Sequence, residues 1–560
     1  MAHQCTPRFC PNKPRVFVTS DIANEPDDAE SLVRFLLYGN EFDIKGLVAC
    51  TSNWLRSVVH PEEMETIIRA YGSVVSNLNA HVHPDNQYPS AEDLLNILRT
   101  GPSTYGKRAL GPDVQLSNGA ELLIEQLSAS EHPLWVLCWG GTNVLAQALQ
   151  HLSKSQSAST FAALRSRIRV YAISDQDDTG HWIRTTYPDI FYICSIHGWN
   201  NYALATWTGI SGDITGDEFP GHGGPDTSLV CAFWLKKHIQ VGPLGSVYPN
   251  YKFIMEGDTP TFLYLIQNGL GCPEHPEYGS WGGRYTPIDP EFAATHYTDA
   301  ADRVVGMNGR KFVSNQTTIW RWREAYQHDF AARMSWTLSN NFGAANHAPV
   351  VVVNGSSGPE TLVLDVVAGG DVVLDASESY DPDGDRLAFN WFQYREPTTA
   401  MGLVIDPQIA DLDIVPLEGT GSEMWKVKVA IPGPEKCVIE FPNGNTQAEG
   451  QDLHLVLEVK DDGAPYGRGG VEKRIDIRRM ERSAPTQVSK SRLYITSLGC
   501  YTVYINGQRV DDECLAPRWT SYNHRITYRE FNVKKPIHPG GDNTIAVEVG
   551  EGWYATSLEF

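Results

Sequence analysis

Val16-Phe-Val-Thr-Ser-Asp21-Ile-Ala-Asn-Glu-Pro-Asp27-Asp28-Ala29 decides how the first half of the chain reads. Apolar and β-branched residues run straight into a group of acids. Leu32, Val33, Phe35, Leu36 and Leu37 follow at helical spacing. The pattern predicts a buried strand, a loop bearing carboxylates, and a helix. Pro26 fits the loop or the first helical turn, and acids after it fit a helix N-terminus. Helix capping by Asp27 or Asp28 is the plain structural alternative. Acids at the carboxyl end of a parallel strand, however, lie where open α/β sheets place their ligands. Crowded carboxylates repel unless a cation or protons compensate them, and an all-oxygen group suits a hard cation such as Ca2+.

Outward from this stretch, residues 14–345 alternate strand-like runs with helical patterns. Arg15 to Thr19, Ile44 to Cys50, Trp135 to Trp139, Ile168 to Ser174 and Ile190 to Cys194 read as strands. Residues 28–38, 61–71, 119–128 and 143–153 read as helices. A Gly- and aromatic-rich loop is expected over 205–250, and a helix near Pro260. The texture changes at Ala348-Pro349, after which short alternating strands predict an all-β sandwich over 349–480. A polar linker is expected at 481–490 and a further β-rich segment at 491–560, which is short for a complete sandwich. The fold class expected is thus α/β, a mostly parallel open sheet with flanking helices, plus C-terminal all-β sandwich modules.

Composition narrows the partners. A formal charge of −22 over 560 residues leaves nothing to neutralise phosphates, which argues against nucleic acid. It fits a soluble protein acting on neutral or cationic small molecules. No apolar run is long enough for a membrane span. The N-terminal residues carry no hydrophobic core for a signal peptide, so the compartment is left open, with cytoplasm the default expectation and secretion the alternative if the N-terminus is incomplete. The ten cysteines are scattered with no CxxC pair, which indicates neither a zinc site nor a disulfide framework. Oligomeric state is left open.

The opening stretch resembles the nucleoside hydrolase signature, a strand running into an Asp-rich loop that ends Asp-Asp-Ala. Trp135-Val-Leu-Cys-Trp-Gly-Gly-Thr-Asn-Val-Leu-Ala-Gln-Ala148 resembles that family's strand–Gly-x-x-Thr-Asn–helix element, and Leu47-Val-Ala-Cys-Thr-Ser-Asn53 its strand ending in a ribose-contacting Asn. A closer resemblance is to the nucleoside-hydrolase-like domain of cellulose-binding proteins. It is carried by Arg34-Phe-Leu-Leu-Tyr-Gly-Asn40, Ser174-Asp-Gln-Asp-Asp-Thr-Gly180, Glu256-Gly-Asp-Thr-Pro260 and Gly279-Ser-Trp-Gly-Gly283. The resemblance implies a calcium-dependent hydrolase of glycosyl, chiefly N-glycosyl, bonds. It implies Asp21, Asp28, the Thr142 carbonyl and Asp258 as metal ligands, with Asp21 also the catalytic base. Asp27 and Asn53 would hold sugar hydroxyls, and Asp177, Asp178 and Trp182 would line the substrate pocket. Asp258 before Thr-Pro also reads as a helix N-cap.

This chain departs from the signature in one place. Five residues, Ile22 to Pro26, separate Asp21 from Asp27, where nucleoside hydrolases have three. Ungapped, the catalytic position falls on Ala23. Either Asp21 is re-aimed, or Glu25 serves as base, or the calcium chemistry is lost. The alternative function is a non-catalytic protein that binds plant cell-wall carbohydrate on an inherited fold.

Two C-terminal features add context. Ser379-Tyr-Asp-Pro-Asp-Gly-Asp385 is similar to an acidic turn of Ig-like, cadherin-like or polycystic-kidney-type modules; its three aspartates at alternate spacing can bind calcium, but the stretch is read as a tight Asx/Gly turn of the scaffold. Arg492 to Gly507, Leu515 to Tyr522 and Gly550 to Tyr554 resemble the N-terminal β-domain of α-L-rhamnosidases. The rhamnosidase catalytic barrel has no counterpart here, so this resemblance implies carbohydrate context rather than that activity. A nucleoside or small glycoside is the expected partner, with a fusion to a missing catalytic half as the third reading.

Overall fold

The computed structural model describes residues 6–198, 201, 204–212, 224–288, 295–398, 409–419, 421, 423–436, 451–463, 470–480, 492–495, 500–510, 529–532 and 544–550. An eight-stranded sheet organises the first half. Its strands are β1 (Arg15–Ser20), β2 (Asp43–Ala49), β3 (Leu98–Thr100), β4 (Leu134–Cys138), β5 (Ile168–Ala172), β6 (Phe191–Cys194), β7 (Tyr285–Pro287) and β8 (His296–Asp299). They are ordered β3-β2-β1-β4-β5-β6-β8-β7. Every pairing is parallel except β7 with β8. The chain winds outward in one direction from β1 and in the other from β4. The carboxyl ends of β1 and β4 therefore flank the crevice where such sheets bind ligands.

Apolar residues face both sides of the sheet, as covered parallel strands require. Val16 and Val18 face one core layer with Trp135, Leu137 and Trp139. Phe17 faces the other with Val136 and Cys138. The first layer includes α1 (Pro26–Leu37) and the helices Pro61–Gly72 and Arg323–Trp336. The second is built by Asn118–Ser128, Asn143–Ser155 and Ala158–Arg165. In α1, Pro26 occupies the first turn, and Glu25 is the capping position without a side-chain cap bond. Asp27 and Asp28 are thus not spent on capping.

The expected strands and helices of the first domain are present, with ends shifted by no more than two residues. Four segments differ. The expected 205–250 loop contains a helix at Ala232–His238. The helix near Pro260 is a single turn, Pro260–Leu263. Val350 to Val353, whose run of β-branched residues is expected as the first strand of the sandwich, forms isolated bridges instead. Arg323–Trp336, fourteen residues long and almost wholly buried, lacks the polar outer face that marks a helix in sequence.

The following β-region is a sandwich. One sheet contains Leu362–Val367, Gly470–Met480, Leu453–Asp461 and Leu387–Tyr394 in that order. The other holds Asp371–Asp375, Lys426–Ala430 and Asp413–Glu418. Their inner faces share a core of Leu374, Trp391, Val427, Val429, Leu455 and Leu457. The sandwich and the α/β domain belong to one compact unit that ends at Arg479. Tyr394 crosses the seam, its hydroxyl donating to Asp302 (2.7 Å), which Arg284 and Arg321 also bind (2.7 and 2.6 Å). The second unit begins at Met480. Within it Arg492–Ile495 pairs with Arg529–Asn532, and Cys500–Ile505 pairs with Gln508–Arg509 and Ile545–Gly550. Asn506 and Gly507, at φ 50° and 77°, make the two-residue hairpin its dipeptide predicts. The linker at 481–490 lies outside the described residues. Among the described residues no helix is long and apolar enough to cross a membrane.

One ion pair holds α1 in place. Arg34 donates to Glu256 (2.7 Å), both side chains being fully buried. It also bonds Gln327 Oε1 (2.9 Å) and the Tyr326 carbonyl (2.7 Å), and lies over the Phe330 ring (4.3 Å). Tyr248 donates to the second oxygen of Glu256 (2.7 Å). Arg34→Met leaves Glu256 buried without its cation and is expected to cost about 3–5 kcal/mol. Urea unfolding of the two proteins measures this; an unchanged midpoint would show that the pair contributes nothing.

Candidate functional site

Asp21 is the first residue past β1 and is 2% exposed. A side chain on Gly140, just past β4, would collide with it: a Cβ there would stand 2.9 Å from both the Asp21 amide nitrogen and Oδ1. Only glycine lets the ends of β1 and β4 close together at the crevice. After Asp21 the chain turns, Asn24 N–H donating to the Asp21 carbonyl (3.2 Å). Ala23, exposed, takes φ 77°, a left-handed conformation costly for a residue with a Cβ. The two added residues are thus accommodated as a tight turn. Ala23 is exposed on that turn, and Asp21 is buried at the strand end.

Asp27 and Asp28 enter from the first turn of α1, and Asp258 from the segment before Pro260–Leu263. One carboxylate oxygen from each lies within 4.8 Å of those of the other two, and all three residues are buried. Both oxygens of Asp258 lack a hydrogen-bond partner, as does Oδ2 of Asp21. Ser20 Oγ donates to Asp28 Oδ1. The N-cap of Pro260–Leu263 is Thr259, so the capping alternative for Asp258 does not apply. Asp21 is outside the trio and Asp27, expected on a sugar hydroxyl, is within it. Asp21 instead packs against Gly140 at the end of β4. Buried carboxylates with unpartnered oxygens fit a hard, oxygen-bound cation.

Burial raises every carboxyl in this group. Asp21 is pushed up to about 6, chiefly by burial, against the lowering bond from Ser52. Asp27 is pushed up to about 7 by burial and by the charges of Asp21 and Glu25. Asp28 and Asp258 are held well above the ordinary carboxylate value, first by burial and then by their neighbours' charges. Glu30, one helical turn past Asp27, is pushed up to about 9 by burial and by Glu256.

The remaining expected residues fall into three groups. Thr142 caps helix Asn143–Ser155 and its carbonyl accepts from Ala146 N–H (3.0 Å), while its hydroxyl reaches Asp177 Oδ1 (3.3 Å). Asp177 is buried, bonded through Oδ1 to Thr179 N–H (2.8 Å), with Oδ2 unpartnered above Gly141. Asn53 follows β2 but its side-chain oxygen is taken by Arg56. Asp178 is exposed and bonds Lys107 N–H (2.7 Å), tying down the 106–110 turn. Trp182 packs edge-on against Tyr187 (5.6 Å, 87°) beside the second core layer and does not serve as a free stacking platform. Glu25 is half-buried at the start of α1.

Two further residues border the site. Trp207 packs with Ile173, Ala205 and Ile254. Gly257 sits between it and Asp27: a Cβ at 257 would stand 2.8 Å from Asp27 Oδ2 and 3.3 Å from the Trp207 ring. Trp207 thus walls the acid trio, a placement only the folded 205–210 segment creates.

Comparison with known proteins gives a consistent assignment by region. Residues 15–285 match the family described as cellulose-binding Sde182, nucleoside hydrolase-like domain. Residues 371–466 match the cellulose-binding protein Sde0182 C-terminal domain. Residues 486–560 match the alpha-L-rhamnosidase N-terminal domain. Among solved structures, the chain is similar to a nucleoside hydrolase-related hypothetical protein from Saccharophagus degradans that is associated with carbohydrate metabolism. The identity is 30%, the TM-score 0.65, and the match covers 84% of this chain and 100% of that one. Curated relatives match over short stretches only. An alpha-L-rhamnosidase of Streptomyces avermitilis is 42% identical over 82 residues, 15% of this chain and 8% of that protein. One from Formosa agariphila is 34% identical over 102 residues, 18% and 11% respectively. The chain thus spans a small fraction of the length of these relatives.

The raised carboxyls fix the direction of a pH effect. Folded Asp21 and Asp27 keep their protons to about 6 and about 7, whereas the ordinary value is 3.8. Their contribution to stability is full below 3.8 and is lost as pH rises through 6 to 7. The metal-free protein is therefore expected to melt at lower temperature at pH 7.5 than at pH 5, with added Ca2+ raising the melting temperature more at pH 7.5. Calorimetry at the two pH values checks this; equal calcium shifts would contradict it.

Proposed function

Because this chain belongs to the family of cellulose-binding proteins with a nucleoside hydrolase-like domain, we propose that its β1–β4 crevice hydrolyses a glycosyl bond, chiefly an N-glycosyl bond, of a nucleoside or small glycoside. The observation that carries this reading is the buried trio Asp27, Asp28 and Asp258 beside Asp21. Three buried carboxylates from two distant segments are a costly arrangement for a scaffold. Asp27, Asp28 and Asp258 would hold the cation, Ca2+ by the all-oxygen donor set, and the Thr142 carbonyl is a further candidate ligand. Such an ion supplies positive charge that lowers the pKa of a nearby water and orients it.

The protein's own groups account for the rest. Asp21, with one oxygen unpartnered and a carboxyl at about 6, is suited to accept the proton from the attacking water near neutral pH. Asp177, through its unpartnered Oδ2, is suited to accept a sugar hydroxyl and so stabilise an oxocarbenium-like transition state. Asn53, whose oxygen is engaged by Arg56, and Asp178, engaged by Lys107, would need to exchange partners to reach a substrate. Trp207 excludes water from one wall. The domain boundaries that suit this reading are 14–345 for the hydrolase-like domain, 349–480 for the sandwich, and 491–560 for the rhamnosidase-like β-domain after a linker.

A second reading has its own support. Ala23 occupies the ungapped catalytic position, and the family description names cellulose binding. Trp54, on the loop after β2, is 54% exposed, and Phe253, before Glu256-Gly-Asp258, is 85% exposed. Exposed aromatics suit stacking on sugar rings. In this reading the crevice binds plant cell-wall carbohydrate without turnover.

Assays of nucleosides and aryl glycosides with and without chelator separate the two. Hydrolysis is expected to require Ca2+ and to fall about 10²–10⁴-fold in kcat for Asp21→Asn. Rates unaffected by chelator and by Asp28→Ala would sink the hydrolase reading. Retention on cellulose that Trp54→Ala lowers, with no turnover of any substrate, would establish the binding reading instead.

A further inference from the structure

A second acidic centre lies far in sequence from the crevice. One oxygen each of Asp381, Asp383 and Asp385 lies within 4.8 Å of the other two. The turn is self-bonded on one side: Asp381 Oδ1 accepts from the amides of Asp383 (2.8 Å) and Asp385 (3.2 Å). Those bonds explain an Asx-type turn but leave Asp381 Oδ2, on a residue 4% exposed, with no partner.

Two independent observations point beyond a turn. Asp461, at the end of strand Leu453–Asp461, is 3% exposed and its Oδ2 also lacks a partner. Its Oδ1 accepts from Gly463 N–H (3.0 Å), which ties Asp461 to the residue that Asp385 packs against. Gly463 then leaves an open cradle. A Cβ there would stand 2.0 Å from Asn346 Oδ1 and 2.3 Å from Asp385 Oδ2, so two oxygens converge on one point that only glycine keeps free. Asn346 comes from the segment joining the α/β domain to the sandwich, is 4% exposed, and donates Nδ2 to Asp461 Oδ1 (3.3 Å). That bond turns its amide oxygen toward the acids.

We propose that Asp381, Asp383, Asp385 and Asp461, with Asn346 Oδ1, form a second calcium site at the seam between the α/β domain and the sandwich. All five donors are oxygens, four of them carboxylates, with acids at alternate positions along a Gly-containing turn. His347 is spoken for: its amide and Nδ1 bond Asp383 (2.7 and 2.9 Å) and its Nε2 faces His81 Nδ1 (3.0 Å). The imidazole therefore anchors Asp383 and adds no soft donor. The ion bridges a sandwich turn, a sandwich strand end and the joining segment. Its role is to lock the sandwich against the α/β domain, since its removal leaves four carboxylates facing one another at the joint.

Calcium titration of the full chain by calorimetry tests the site separately from the crevice. The parent is expected to bind one equivalent that persists in Asp28→Asn and weakens at least about tenfold in Asp385→Asn. Asp385 is partly exposed, so the variant tests ligation rather than folding. Gly463→Ala, which fills the cradle, is expected to weaken the same equivalent and to lose its calcium-dependent rise in melting temperature. Equal calcium binding by parent, Asp385→Asn and Gly463→Ala would overturn the proposal. So would Mg2+ binding at this site as tightly as Ca2+. Failure of the crevice to bind calcium would leave the equivalent measured in Asp28→Asn untouched.

Discussion

The buried ion pair between Arg34 and Glu256 sets the geometry on which the crevice depends. Arg34 lies on α1 within two turns of Asp27 and Asp28, and Glu256 lies two residues before Asp258. One salt bridge of 2.7 Å thus fixes the register between two segments more than two hundred residues apart in sequence. Both groups are fully buried, where a lone charge would be very costly. Neither segment can slide without separating them. Glu256 itself adopts φ 51°, and its amide donates to Glu30 Oε2 (3.0 Å). Strain and buried charge at 256 are therefore offset by bonds from both sides, and the product is Asp258 brought onto the acids of α1.

The same physics recurs at two scales. In the crevice, carboxylates from α1 and from the 256–258 segment face each other with oxygens left over. At the seam, carboxylates from a turn and a strand end do the same around Gly463. Two other buried acids are compensated by guanidinium groups. Asp302 has Arg284, Arg321 and the Tyr394 hydroxyl, and Glu41 has Arg333 (2.9 Å) and Arg8 (3.0 Å).

The sequence located much of this because strand–acid–helix order is a local pattern. The period of Val16 to Ser20 and the acids that follow place Asp21, Asp27 and Asp28 at a strand end without any tertiary information. Glu256-Gly-Asp258 was legible as a partner through resemblance alone. Side-chain engagement was not legible. Lys107 taking Asp178 depends on two distant loops meeting, while Arg56 taking Asn53 and Tyr187 meeting Trp182 are local contacts that the residue pattern does not specify. That Asp27 rather than Asp21 joins Asp28 and Asp258 is likewise a fact of the folded chain.

The sequence by itself determined the layer order, the parallel sheet and the position of the acids, because hydrophobic period and turn residues are properties of contiguous chain. Tertiary structure alone decided which carboxylates share a point in space and which are already bonded. Those facts depend on packing between segments hundreds of residues apart, as Arg34 with Glu256 and Asn346 with Asp461 show. The turn at 381–385 makes the division clear. Read as sequence it is a tight Asx/Gly turn, and its own amide bonds agree. Only the arrival of Asp461 and Asn346 from elsewhere in the fold turns that scaffold element into an oxygen-lined centre.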